Sequence, residues 1–378
     1  MKVSVFHTMR YGRIPNQPNT WPVPNALFEP EQGMRAMNNS LEDAQIEDEL
    51  GFDWIACAEH HFSPFSLSSN VSVQAAALSQ RVKRARIAIL GALVPLGNPL
   101  RIAEEFAMID NLTGGRLIAG LIRGAPYEYL VYNVNPAESR SRFEEGWELI
   151  LKAWTERQTF GWEGRHFQYR CISIWPRPVQ QPMPPVYVSG SSRDSGDFAA
   201  RKRIGLGFAG ATNIPSAARS AAFYREKAAE YGWQPTPEQV IYQIGCHVAE
   251  TDEKAWNRVR GPIEAGEGAG LARGQAIPNR LVATSGFYGE RDSDFVDRYK
   301  GTTFGAEGGY TLEGRLAIGS ILAGNPDTVY AQIKRVRDEV GAGIVNLIFD
   351  APGVDRPAKH AALELFAKEV LPRVHELQ

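Results

Sequence analysis

Trp54-Ile55-Ala56-Cys57-Ala58-Glu59-His60-His61-Phe62 runs apolar for five residues and then ends in an acid and two adjacent imidazoles. A short continuous apolar run reads as a fully buried strand that delivers its polar tip beyond its C-terminal end. Continuous rather than alternating apolar character belongs to parallel sheets covered on both faces. The tip suits a chemical site, because histidine exchanges protons near neutrality and an adjacent carboxylate can fix its tautomer. The alternative is that the imidazoles only satisfy hydrogen bonds at a helix start.

Working outward, comparable runs occur at 3–7, 87–93, 117–121, 186–189, 207–209, 241–248 and 344–349, which with 54–58 makes eight candidate strands. Amphipathic stretches at 40–50, 100–112, 142–154, 195–204, 216–231, 252–260 and 326–340 separate most of them. Parallel strands need such helical crossovers. The pattern predicts an α/β fold, a (β/α)8 TIM barrel forming one domain over 1–378; a doubly wound open sheet is the alternative. Three segments exceed a minimal barrel and are expected as insertions at its C-terminal face. Residues 9–39 are rich in proline and carry Trp21 and Phe28, as if folded over the mouth. Residues 160–185, with Trp162, Phe167, Tyr169 and Trp175, read as an aromatic-rich wall or as ordinary packing. Residues 264–318 are glycine-rich and read as a mobile lid or a poorly ordered loop, with Phe287, Tyr288, Phe304 and Tyr310 available as apolar cover.

Composition excludes several classes. The chain of 378 residues has 41 basic and 43 acidic side chains and a formal net charge of −2, with no like-charge block that predicts a nucleic-acid or membrane partner. Three separated cysteines, Cys57, Cys171 and Cys246, make no metal-ligand or CxxC spacing and fit a reducing, cytoplasmic setting. No 18-residue apolar span or signal peptide is present, since Met1-Lys2-Val3-Ser4-Val5-Phe6 reads as a strand. Gly205-Leu206-Gly207-Phe208-Ala209-Gly210 matches GxGxxG, but it follows a helix and overlaps a strand, the wrong context for a dinucleotide fingerprint. No metal is expected at His60 and His61, because adjacent residues do not readily ligate one ion.

A phosphate site needs positive charge and several donors near a helix N-terminus. Val186-Tyr187-Val188-Ser189-Gly190-Ser191-Ser192 gives a strand followed by small hydroxyl-bearing residues, with a helix opening near Ser195. Arg123, at the end of the preceding strand, offers charge and a fork of donors. A plain helix cap is the alternative for the serine run alone.

Glu59-His60-His61-Phe62-Ser63-Pro64-Phe65 resembles the corresponding stretch of the luciferase-like flavin monooxygenases, in particular the bacterial luciferase alpha subunit. Further matches follow in order: Leu96-Gly97-Asn98-Pro99-Leu100-Arg101, Gly115-Arg116-Leu117, Ser139-Arg140, Pro185-Val186-Tyr187-Val188-Ser189, Gly324-Asn325-Pro326-Asp327 and Glu369-Val370-Leu371-Pro372. The resemblance implies FMN, reduced beforehand by a separate NAD(P)H:FMN reductase, and O2 as cosubstrate. Oxygen would add at flavin C4a, and the resulting (hydro)peroxide would hydroxylate a small organic substrate or insert oxygen in the Baeyer-Villiger manner. It implies that His60 is the acid/base group; beside it, Glu59 is read as a candidate orienting carboxylate and His61 as a supporting residue. It also implies that Arg123, Ser191, Ser192 and Ser195 hold the FMN phosphate beside Ser189 and Gly190, with a backbone contact from Ala125. Ser191 stands where the luciferase subunit carries an acid. Gly91 and Ala92 would lie against the flavin ring, where relatives can carry a non-prolyl cis peptide, here Leu90-Gly91; a glycine chosen for barrel curvature is the alternative. A homodimer or homo-oligomer is expected. Two other functions stay open: deazaflavin-dependent hydride transfer on the same barrel, and a non-catalytic flavin-binding subunit of a heterodimer.

Overall fold

The apolar runs pair side by side as parallel strands: β1 (Lys2–His7), β2 (Trp54–Cys57), β3 (Arg86–Leu93), β4 (Leu117–Ile122), β7 (Val186–Ser189), β8 (Gly205–Phe208), β9 (Val240–Val248) and β11 (Ile344–Ile348). Two further strands, β5 (Phe160–Glu163) and β6 (Gln168–Ile172), form an antiparallel hairpin, and β10 (Leu322–Gly324) extends the far end of β9. Pairing runs β1-β2-β3-β4-β7-β8-β9-β11 and returns from β11 to β1, which closes an eight-stranded (β/α)8 barrel from all eight expected strands. This computed structural model describes residues 1–12, 14, 18, 20–190, 192–209, 213–265, 282, 285–286, 311–350 and 353–377.

The outer helices include α1 (Pro30–Leu50), α2 (Val71–Arg81), α3 (Pro99–Leu112), α4 (Ser139–Thr155), α5 (Arg193–Lys202), α6 (Ile214–Glu230) and α7 (Asp252–Glu264), with Leu312–Ile318, Pro326–Val340, Arg356–Glu369 and Leu371–His375 completing the ring. Many start at a side-chain cap: Asn70 accepts from Val73 N, and Asn98, Asn213 and Asn325 act alike. Three features differ from expectation. Helix α1 begins at Pro30, ten residues before the expected start, because Pro at the first helical position loses no intrahelical bond. The sequence reading assigned no helix over Val71–Arg81 or after Arg356, yet both pack as helices on the barrel. The segment 160–185, expected at the C-terminal face, does not stay there throughout: its later part runs to the strand starts. Glu145 on α4 accepts from His166 N, Phe167 N and Trp162 Nε1, which fastens the hairpin to that helix. Gln180 then binds Asp110 and the Leu117 carbonyl, at the strand starts opposite the mouth.

Alternation along each strand separates two apolar layers. Val5, Ile55, Ile87 and Leu347 pack outward against helices, while Phe6, Trp54, Ala88, Ile118, Tyr187, Ile241 and Ile344 fill the axis. Toward the C-terminal ends small residues such as Gly120 and Gly207 leave a cavity, lined also by Leu90, Ile122, Phe208, Gln243 and Asn346. Gly91 and Gly120 stand back to back, and a Cβ on Gly91 would meet the Gly120 carbonyl. Close approach of β3 and β4 thus accounts for Gly91 without any ligand.

His247, on β9, is fully buried, and among the described residues neither ring nitrogen has a hydrogen-bond partner. Burial, and secondarily the Arg258 charge, bring its pKa down from 6.5 to about 4. The folded protein therefore keeps it neutral while the unfolded chain takes up a proton below the ordinary value. Stability should fall as pH drops from 6.5 through about 4. Urea unfolding across that window should show the loss, and His247→Leu should flatten it.

Candidate active site

Beyond β2 the chain turns sharply: Glu59 N donates to the Gly91 carbonyl at 3.3 Å, His60 N to the Ser68 carbonyl at 3.0 Å, and Phe62 adopts a left-handed φ of 57°. The two imidazoles consequently point to different partners. His61 is buried and its Nε2 lies 3.0 Å from Glu59 Oε1, while Glu59 Oε2 accepts from Leu93 N. His60 keeps 27% of its side chain exposed, and its Nδ1 lies 3.1 Å from Glu128 Oε1. Glu59 was expected to orient His60; it orients His61 instead, because successive side chains after the strand diverge.

Glu128 is the carboxylate that faces His60. It is 1% exposed and is held by Ala125 N at 2.8 Å and by the Tyr127 hydroxyl at 3.3 Å. An ionised carboxylate only accepts, so the proton of a neutral His60 sits on Nδ1 and Nε2 is left for exchange. Trp21 completes this wall, donating from Nε1 to the His61 carbonyl at 3.1 Å and packing edge-on to Tyr127. Val23 N also donates to the Phe62 carbonyl, so the described part of 9–39 is fastened to the loop after β2.

Across the rim, β7 delivers Ser189 to the N-terminus of α5. Ser192 caps that helix by accepting from Ser195 N at 3.2 Å, and the two hydroxyls lie 3.1 Å apart. Gly190 has a φ of 157°, and a Cβ there would strike the Ser195 side chain. Ser191 lies outside the described residues. The Arg123 carbonyl accepts from the Tyr129 hydroxyl at 2.7 Å. Ala125 N donates to Glu128 Oε2 and its carbonyl accepts from Glu128 N, so its backbone braces the turn that carries Glu128. The peptide Leu90-Gly91 is cis, Leu90 lines the mouth cavity, and Ala92 is buried. Most of 264–318, including Phe287, Tyr288, Phe304 and Tyr310, lies outside the described residues; Val282 packs on Tyr129.

Two groups escaped the sequence reading as site residues. Glu128 is 68 residues from His60 and has no local pattern that pairs them. Arg140, at the start of α4, is the other. Its buried Nε and Nη2 have no hydrogen-bond partner among the described residues, and Nη2 stands 4.0 Å from Asp194 in the first turn of α5. A buried guanidinium 4.0 Å from a carboxylate in the first turn of α5 stands close enough to that helix start to hold an anion there. Among the described residues no three His, Cys, Asp or Glu converge as metal ligands, and no helix is long and apolar enough to cross a membrane.

A closed parallel barrel with a His–Glu pair and a serine-capped helix start on its C-terminal rim has the architecture of a TIM-barrel enzyme. Residues 1–343 match the luciferase-like monooxygenase family, and the chain belongs to that family. It is similar to the alkanal monooxygenase alpha chain of Photobacterium leiognathi, 24% identical over 62% of this chain and 66% of that one. It is also similar to the oxygenase component of the flavin-dependent trigonelline monooxygenase of Acinetobacter baylyi, 30% identical over 43% of this chain and 45% of that one. The fold superposes on monooxygenase RslO1 from Streptomyces bottropensis with a TM-score of 0.74, at 25% identity over 99% of both chains. The chain spans about half to two-thirds of the length of the curated relatives it matches.

Buried donors without partners mark groups kept for a ligand rather than for the fold. Arg140→Met should therefore leave the urea midpoint unchanged or raise it, because the apolar side chain removes an incompletely compensated buried charge. A loss of more than about 2 kcal/mol would make Arg140 a structural anchor.

Proposed function

We propose that this chain is the oxygenase of a two-component system that receives reduced FMN from a separate NAD(P)H:FMN reductase. With O2 it oxygenates a small organic substrate, by hydroxylation or by Baeyer-Villiger-type insertion. The observation that carries this reading is the pairing of His60 with Glu128 across two rim loops at 3.1 Å. Arg123 precedes Glu128 by five residues on the same β4–α4 loop, which supports placing a flavin phosphate near that rim.

Reduced FMN, when bound, supplies the electrons and the ring position at which O2 reacts. Arg123, Arg140, Ser192 and Ser195 would hold its phosphate, with Ser189 and Gly190 shaping the approach. The protein's own chemistry then centres on His60. Glu128 fixes its tautomer through Nδ1 and would stabilise the imidazolium, which leaves Nε2 as the atom that takes up and returns a proton. His61, pinned by Glu59, supports the loop. Trp21 and Tyr127 cover this wall with apolar surface, which limits water at the reacting centre. The three unpaired cysteines support a cytoplasmic setting. Self-association as a homodimer or larger homo-oligomer is part of this reading.

Oxygen uptake with supplied reduced FMN tests the function: substrate-dependent consumption with oxygenated product supports it. Binding without consumption would instead indicate a non-catalytic subunit, and turnover only with a reduced deazaflavin would indicate hydride transfer. His60→Ala should retain reduced-flavin binding while product formation falls about 100-fold or more. Normal turnover, or loss of flavin altogether, would remove the proton-transfer role. Arg123→Ala should weaken FMN binding by about 1.5–3 kcal/mol, the scale for a charged hydrogen-bonding partner. An unchanged affinity in a flavin titration takes Arg123 out of the cradle.

A further inference from the structure

One polar cluster in the mouth cavity is used by neither the proton pair nor the anion cradle. Asn346 on β11 is in register with Ser4 on β1 and with Gln243 on β9, and the axial layer around the three is apolar. Asn346 Nδ2 donates to Gln243 Oε1 at 3.0 Å. Ser4 and Asn346 are fully buried, and among the described residues Ser4 Oγ and Asn346 Oδ1 have no hydrogen-bond partner. Gln243 and Asn346 both line the cavity.

Carboxamide oxygen and nitrogen have nearly the same shape, and reversing both amides keeps their mutual bond and again leaves an amide oxygen and an amide NH2 group free to face a ligand. Two adjacent groups of opposite sense match a ligand edge that carries both an acceptor and a donor. Apolar side chains of similar size would stabilise this layer better, so the pair fits recognition more closely than folding.

We propose that Gln243 and Asn346 recognise the substrate, and that the substrate is a compact ring compound whose carbonyl stands beside an N–H donor, the lactam or imide class. This rests on the flavin-oxygenase reading. In the closed barrel β9 and β11 stand across from β3 and β4. If a flavin were held toward β3 and β4, the Gln243–Asn346 wall on the opposite strands would be left for the substrate.

The test titrates FMN-loaded protein with δ-valerolactam and with its N-methyl derivative, following the flavin absorbance. Wild type, Gln243→Met and the double variant Gln243→Met/Asn346→Leu are compared. Wild type should favour the N–H lactam by about tenfold, the scale of one hydrogen bond, and both variants should lose that preference while FMN affinity stays within about twofold. The thermal midpoint of the double variant should be unchanged or higher, because both buried partners are removed together. A wild type without preference, or variants that keep it, overturns the proposal. A fall in FMN affinity alongside the lost preference also overturns it and gives the amides to the flavin. If the double variant fails to fold, Gln243→Met alone carries the comparison. Wild-type protein that does not bind FMN in the first titration overturns the flavin reading itself, a separate result.

Discussion

Hydrogen bonding between the first strand and the last closes the barrel: Lys2, Val3, Ser4 and Val5 pair with Ile344, Val345, Asn346 and Leu347. Once the ladder is closed with all strands parallel, every C-terminal strand end must lie on one rim and every return must run outside. The rim residues then converge whatever their separation in sequence. The same seam brings Ser4 beside Asn346, so the floor of the cavity is also a product of closure.

Convergence explains why His60 has a partner so far along the chain. The loop after β2 and the loop after β4 both rise from the rim with β3 between them, and β3 packs unusually close to β4 where Gly91 meets Gly120. Glu128 reaches His60 from a turn whose own backbone it holds through Ala125 N. A carboxylate fixed in this manner has few alternative positions, which suits a group that must hold an imidazole in one tautomer. Among the described residues, buried nitrogens of Arg140 and the amide oxygen of Asn346 have no hydrogen-bond partner, a pattern that packing alone does not favour.

Much of this was legible in the residues. All eight strands were readable because buried parallel strands are locally apolar and bounded by turn residues, and the serines before α5 were readable because caps use local side-chain chemistry. The helix Val71–Arg81 was missed although Asn70 caps it, because a valine-rich start weakens the helical signal until packing decides. The path of 160–185 back to the strand starts was not legible, since aromatic content shows that a segment will be buried and not against which surface. Glu59 was paired with the wrong histidine, because adjacency in sequence says nothing about direction once a strand ends.

The sequence by itself determined the strand set, the histidine-bearing tip of β2, the hydroxyl-rich start of α5 and the absence of a dinucleotide fingerprint, all properties of short contiguous segments. Only the tertiary structure decided that His60 faces Glu128, that Arg140 stands by α5, that Ala125 braces the turn carrying Glu128, and that Gln243 and Asn346 share a bond in the cavity. The physical reason is barrel closure: it sets distances between residues tens to hundreds of positions apart, and no local propensity or period encodes those distances.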